Sequence, residues 1–330
     1  MTDLVVTMGL GHYDHVMDLA SGAVRCEGVR IRHLDLPVEE VFHRFIKYRE
    51  WDVSEISLAK FSALVSQGDT SLVGIPVFPS RMFRHSSAYV LASSGIRTPG
   101  DLAGRRVGVP EWAQTAAVYS RGLLTHGYGV ALEDVAWFQA GVNEPGRAEK
   151  VRVSPPDGVE LTRVADRSLS GMLLDGELDA VLSAHPPRCF EEDPGRVVRL
   201  FRDAGAAEAA YWRETGVFPI MHMVVVRADV VERHPWLPTT LLKGFEQAKE
   251  RSVERLTNMS ASLYPVPWLQ DYTAVTTAGF GADGPWPYGV AANRHTLATF
   301  LRYAHEQGVL QRALEPEELF WPSTLDTVRI

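Results

Sequence analysis

The stretch FPSRMFRHSSAYVLAS, residues 78–93, sets Arg81, Phe83, Arg84 and His85 just ahead of an alternating, strand-like run. A guanidinium offers a planar fork of donors that matches a carboxylate, and an imidazole exchanges its proton near neutral pH. Side by side they describe an anion clamp next to a proton donor. Further reactive residues fall where strands are expected to end. His12 follows LVVTMGL, Lys60 follows DVSEI, and His185 follows DAVLS. Trp112 follows RRVGVP, with Gln114 and Thr115 opening the next helix. His222 stands among apolar residues inside FPIMHMVVVR, where a hydrogen-bonded core histidine is the first reading. Trp286 and Tyr288 belong to the rigid turn GPWPYG, where they either face a ligand or plug the core. Plainer roles exist for the others too: ion pairs for Arg81 and Arg84, a strand-start hydrogen bond for His85, a strand end for His185, and a solvated helix start for Lys60.

The elements that must carry these residues alternate. VRIRHLDL (29–36) has strand periodicity, and Pro37 then opens a helix with Val38, Val41, Phe42, Phe45 and Ile46 at helical spacing. RRVGVP (105–110) predicts a strand feeding a helix from about residue 114, and SLSGMLLDGELDAVLS predicts a helix, a Gly176 stop and a strand. The C-terminal third predicts helices over 228–257, 266–278 and 293–308. Alternating strands and helices predict an α/β protein with largely parallel sheets, whose ligands bind outside the carboxyl ends of the strands. Strand ends spread over much of the chain can therefore meet in one cleft.

Bulk properties narrow the class. A chain of 330 residues exceeds the size at which one core usually stops growing, so two lobes are expected. The net charge of −8, without a long basic patch, argues against a nucleic-acid surface. Cys26 and Cys189 are isolated, which fits a reducing compartment. The N-terminus lacks the pattern of a signal peptide, and no run is long enough for a membrane span, so a cytoplasmic location is expected.

DLAGRRVGVP resembles the segment that opens the second lobe of type II periplasmic-binding-protein folds, and LLDGELDAVLS resembles the one that closes it. FHRFIKYREWDVSEISLAKF, GIPVFPSRMFRHSS and the closing ELFWPST resemble the 4,5-dihydroxyphthalate decarboxylase family, R-M-F-R-H being the most specific part. The resemblance implies two α/β lobes, one of residues 1–93 and 207–330 and one of 94–206, with a ligand cleft between them. It also implies loss of CO2 from 4,5-dihydroxyphthalate, or a close aromatic acid, to give protocatechuate. On that reading Arg81 or Arg84 clamps the carboxylate that stays. His85 is the first choice of proton donor, with His185 and His222 next. Trp112, Trp286 or Tyr288 stacks on the ring, Lys60 or His12 meets a phenolic oxygen, and lobe closure excludes water.

Other readings carry their own marks. His12 and His15 form an H-x-x-H pair that could hold a first-row metal acting as a Lewis acid, but no carboxylate accompanies it at a readable spacing, and no cofactor is expected. A solute-binding protein predicts an export signal, and a thiamine-precursor enzyme on this fold predicts a cysteine-rich run. No nucleophile-elbow or P-loop motif occurs. The expected partner is a small aromatic carboxylate, with self-association open.

Overall fold

A computed structural model describes residues 3–280 and 284–326. Early βα units build the first sheet: β1 (Leu4–Gly9) and α1 (Asp14–Ala20), β2 (Val29–Leu34) and α2 (Val38–Tyr48), then β3 (Val53–Ser57) and α3 (Leu58–Ser66). Strand β4 (Leu72–Arg81) follows, and the chain crosses to β5 (Ala88–Leu91) of a second sheet. That sheet gains β6 (Arg106–Val109), α4 (Thr115–Gly122), β7 (Ala136–Gly141), β8 (Leu161–Ser168), α5 (Leu169–Leu174), β9 (Ala180–Leu182), α6 (Arg188–Glu192) and β10 (Val197–Arg199). Helix α7 (Ala204–Thr215) leads back to β11 (Ile220–Arg227) in the first sheet. Helices α8 (Ala228–Arg233), α9 (Leu237–Leu256), α10 (Leu269–Phe280) and α11 (Arg294–Glu306) complete the chain.

The sheets have strand orders β2-β1-β3-β11-β4 and β10-β5-β9-β6-β7-β8. The two-lobed α/β architecture is thus present, with two chain crossings. Strand β5 already belongs to the second sheet, so the first crossing occupies residues 82–87 rather than lying at the expected boundary of 93. The helix expected over 228–257 is broken around His234, where α8 ends and α9 starts afresh with Pro238 in its first turn, a position that needs no N–H.

The central strands of the first sheet are covered on both faces. Val53 to Ser57 are all buried, and Val224, Val225 and Val226 are fully enclosed. The closing segment docks on β4, where Trp321 N–H donates to Gly74 O at 3.0 Å. A Cβ on Gly74 would stand 2.2 Å from Leu319 O, so only glycine admits this approach. Among the described residues no helix is long and apolar enough to cross a membrane.

Candidate functional site

Glu55 is an acid in the middle of a buried strand, fully enclosed. A lone carboxylate there would be unstable, but it is surrounded by donors. Its Oε1 accepts from His222 Nδ1 at 2.6 Å and from the Tyr13 hydroxyl at 2.7 Å, and its Oε2 accepts from Gly11 N–H at 2.8 Å. Burial pushes the Glu55 pKa up, yet the bonds and charge from His222, with Gly11 and Tyr13, outweigh it and hold the group below the ordinary carboxylate value. The Tyr13 hydroxyl moves the other way, raised by burial and by the neighbouring Glu55 charge, so it stays a donor. Gly11 is required sterically: a Cβ there would lie 2.9 Å from the Tyr13 ring and 3.3 Å from Glu55 Oε2.

Because a carboxylate only accepts, His222 Nδ1 carries the hydrogen of this pair. That fixes the ring, and Nε2 has no hydrogen-bond partner among the described residues. The imidazole side chain keeps 20% of its surface exposed, so Nε2 has a route to a ligand.

Contacts between the lobes flank this group. His222 lies opposite Ser57 in the β3–β11 register, and Ser57 Oγ meets Thr115 Oγ1 of the second lobe at 2.8 Å. Phe42 of α2 stands edge-on to His222 with ring centroids 4.8 Å apart. One turn earlier on α2, Glu39 pairs with His185 of the second lobe at 2.9 Å. Behind Tyr13 lies His15, whose ring is 5.2 Å from that of Trp286 and whose Nε2 is buried without a partner among the described residues. Burial lowers the His15 pKa to about 4. Two surface recesses, of about 430 and 300 Å³, lie elsewhere, one along Phe61 and Trp321 and one along Phe190 and Arg202.

The arginine–histidine loop divides. Arg81 is buried and held by Asn293 Oδ1 and Pro287 O, at 2.9 Å for the latter, and its guanidinium lies over Phe78 and Phe218. It therefore braces the first lobe, and burial lowers its pKa to about 10. Arg84 meets two thioethers, Met221 Sδ at 3.1 Å and Met82 Sδ at 3.8 Å, and has no carboxylate in ion-pair contact among the described residues. It too is lowered to about 10 by burial. His85, expected to donate the proton, is enclosed by Phe201 at 5.0 Å and Tyr211 at 5.3 Å, with Phe83 at 6.5 Å. Its Nδ1 has no partner among the described residues, and burial lowers its pKa to about 4. Phe83 itself packs on Phe218 at 4.8 Å.

Several other expected site residues are occupied by structure. His12 turns outward to Asp35, while His15 faces Trp286, so the H-x-x-H pair does not converge. Lys60 is buried against Glu111, with Glu149 at 3.5 Å, and Arg147 also reaches Glu111, which makes an ionic tie between the lobes instead of a phenol contact. Trp112 is fully enclosed, donating to Gln307 O at 2.7 Å with Arg121 3.8 Å over its ring, so neither face is free to stack on a ligand. Tyr288 is buried under Lys249, which lies 4.3 Å from its ring centroid. Gln114 stands at the N-terminal boundary of α4 without a capping bond from its side chain, and its Oε1 has no partner among the described residues. His222, Thr115 and His185 are gathered around the cleft, with Trp286 behind His15.

Glu55, Tyr13 and Phe42 were not read as site residues from the sequence. The signal for Glu55 was an acid inside the apolar strand VSEIS, and Tyr13 stood between the histidines of HYDH. Phe42 was read only as part of a helical apolar stripe.

Two sheets with two crossings, and a polar cluster where the lobes meet, define a periplasmic-binding-protein-like fold. The periplasmic aliphatic sulphonate binding protein SsuA from Escherichia coli superposes with a TM-score of 0.55 over 98% of this chain and 99% of its own, at 14% identity. No family model matches the chain. A 4,5-dihydroxyphthalate decarboxylase from Comamonas testosteroni is 38% identical over 100% of both chains. One from Pseudomonas putida is 36% identical over 64% of this chain and 83% of its own. The chain belongs to the 4,5-dihydroxyphthalate decarboxylase family.

Proposed function

We propose that this chain decarboxylates 4,5-dihydroxyphthalate or a close hydroxylated phthalate, giving protocatechuate or its analogue, with His222 as the proton donor. The observation that carries the assignment to His222 is its bond to the buried, charged Glu55, which orients the ring and leaves Nε2 turned from that carboxylate. In the reaction the bond between the ring carbon and its carboxylate breaks and CO2 leaves. The Nε2–H bond breaks as a C–H bond forms at the same carbon, and the neutral imidazole recovers its proton from water. A ring hydroxyl para to that carbon supplies the electron push. Glu55 holds the ring through Nδ1 throughout and does not take its proton.

Arg84 suits the carboxylate that stays. Its guanidinium is desolvated, faces soft sulfur atoms, and contacts Met221 beside His222 in β11. A half-buried cation with no ion-pair partner among the described residues gains when an anion arrives. The free buried thiols of Cys26 and Cys189 suit a reducing compartment, and a cytoplasmic location goes with this reading.

The test is direct. Purified protein is incubated with 4,5-dihydroxyphthalate, and CO2 and protocatechuate are followed by chromatography. Stoichiometric release of both is expected. Absence of turnover with this acid and with its monohydroxylated analogues would overturn the reading.

A further inference from the structure

Helix α2 carries apolar surface that the core covers only in part. Val41 and Phe45 are fully buried, as an amphipathic helix requires. Phe42 and Ile46 form a second stripe beside them, one turn apart and only half-buried. Glu39 lies on that stripe's side, a turn before Phe42, and reaches across to His185 of the second lobe at 2.9 Å. This face of α2 therefore looks into the gap between the lobes.

We propose that Phe42 is the wall that recognises the substrate's aromatic ring, with the Glu39–His185 pair closing the cleft beyond it. This rests on the decarboxylase reading and adds the element that distinguishes an aromatic from an aliphatic dicarboxylate. Phe42 and His222 meet at 89°, with centroids 4.8 Å apart, and so form a corner. A flat ring laid parallel to Phe42 stands perpendicular to the imidazole plane. That orientation allows an in-plane Nε2–H to point at the π face of the ring, where a proton must arrive to reach the carbon bearing the carboxylate. Trp112 and Tyr288, first expected to stack, are enclosed, and Trp286 is half-buried against His15, which leaves Phe42 as the ring packed edge-on to the His222 imidazole among the described residues. Offset or edge contacts between aromatic rings add attraction beyond simple burial, whereas an aliphatic acid gains nothing specific from them.

The experiment compares Phe42→Leu, Phe42→Tyr and the unaltered chain. Steady-state turnover of 4,5-dihydroxyphthalate is measured together with inhibition by phthalate and by maleate, which keeps the cis-dicarboxylate but lacks the ring. Phe42→Leu should raise KM and the phthalate inhibition constant about tenfold, leave the maleate constant unchanged, and be restored by Phe42→Tyr. Equal weakening of phthalate and maleate, or no change in either, would overturn the proposal. Thermal unfolding of each variant separates a loss of packing from a loss of recognition. Should the unaltered chain turn over no hydroxyphthalate, the decarboxylase reading falls. Calorimetric binding of phthalate and maleate to the same variants then decides the role of Phe42 independently, by the same criterion.

Discussion

His222 and His85 lie on and just beyond the same antiparallel ribbon of β4 and β11, and their surroundings are opposite. His222 lies opposite Ser80 in that ribbon, and His85 follows just beyond the end of β4. His222 has a buried carboxylate 2.6 Å from Nδ1 and part of its surface open. His85 has aromatic rings on its sides, no partner for Nδ1 among the described residues, and only 2% of its surface exposed. The difference teaches that the surroundings which would suit an imidazole to proton donation, a neighbouring anion and an open nitrogen, are supplied by distant elements. Two arginines in the same loop did not supply either. In an apolar cage the charged form is disfavoured, and the ring acts as an aromatic plug at a crossing between lobes.

The comparison breaks most sharply at Glu55. Glu55→Gln preserves shape but removes the charged acceptor that orients His222, so on the proposed mechanism kcat should fall about 10²- to 10⁴-fold, read as protocatechuate formed per minute. Full activity in that variant would remove the distinction between the two histidines.

A smaller effect is expected at Tyr13, which contributes one neutral donor to the same carboxylate. Tyr13→Phe should lower kcat by about tenfold, the value of one hydrogen bond to a charged group. The sign of its pH effect follows from the depressed Glu55 pKa. A carboxyl whose folded pKa lies below its unfolded one stabilises the protein above the unfolded pKa, and that stability is lost as pH falls through the folded pKa. Loss of the Tyr13 donor raises the folded pKa, so acid unfolding of Tyr13→Phe should begin at higher pH. Urea titrations between pH 3 and 7 read the shift.

The smallest effect on catalysis is expected at His85, where His85→Phe should leave kcat unchanged. Its signature is in stability. With the folded pKa lowered to about 4 against 6.5 for a free histidine, the unfolded chain binds the extra proton between those values. The unaltered protein therefore loses stability as pH falls from 6.5 to about 4, and the variant should lack that component. A large fall in kcat at neutral pH would instead place His85 in the chemistry.

Much of the architecture was legible. The strand runs 4–10 and 29–36, the helix opened by Pro37 and the segment around RRVGVP all correspond to elements of the structure, because period and punctuation are local properties. The candidate site was less legible. His222 was recognisable as polar among apolar neighbours, but Glu55, 167 positions away, decides its role. Arg81 and Arg84 look equivalent in sequence, yet one is held by Asn293 and Pro287 and the other is left facing sulfur. Lys60 shows the converse: a cation at a strand end, expected to meet a ligand, is matched by Glu111 of the other lobe.

By itself the sequence determined the α/β alternation, the two-lobed fold and the family, since these rest on periodicity, turn chemistry and motifs that stay adjacent along the chain. Only the tertiary structure decided which reactive residues are free. Burial and pairing depend on groups brought together from distant elements. A carboxylate arriving from β3 and an aromatic cage assembled from α7 and the second crossing give the two histidines different surroundings in ways no local spacing encodes.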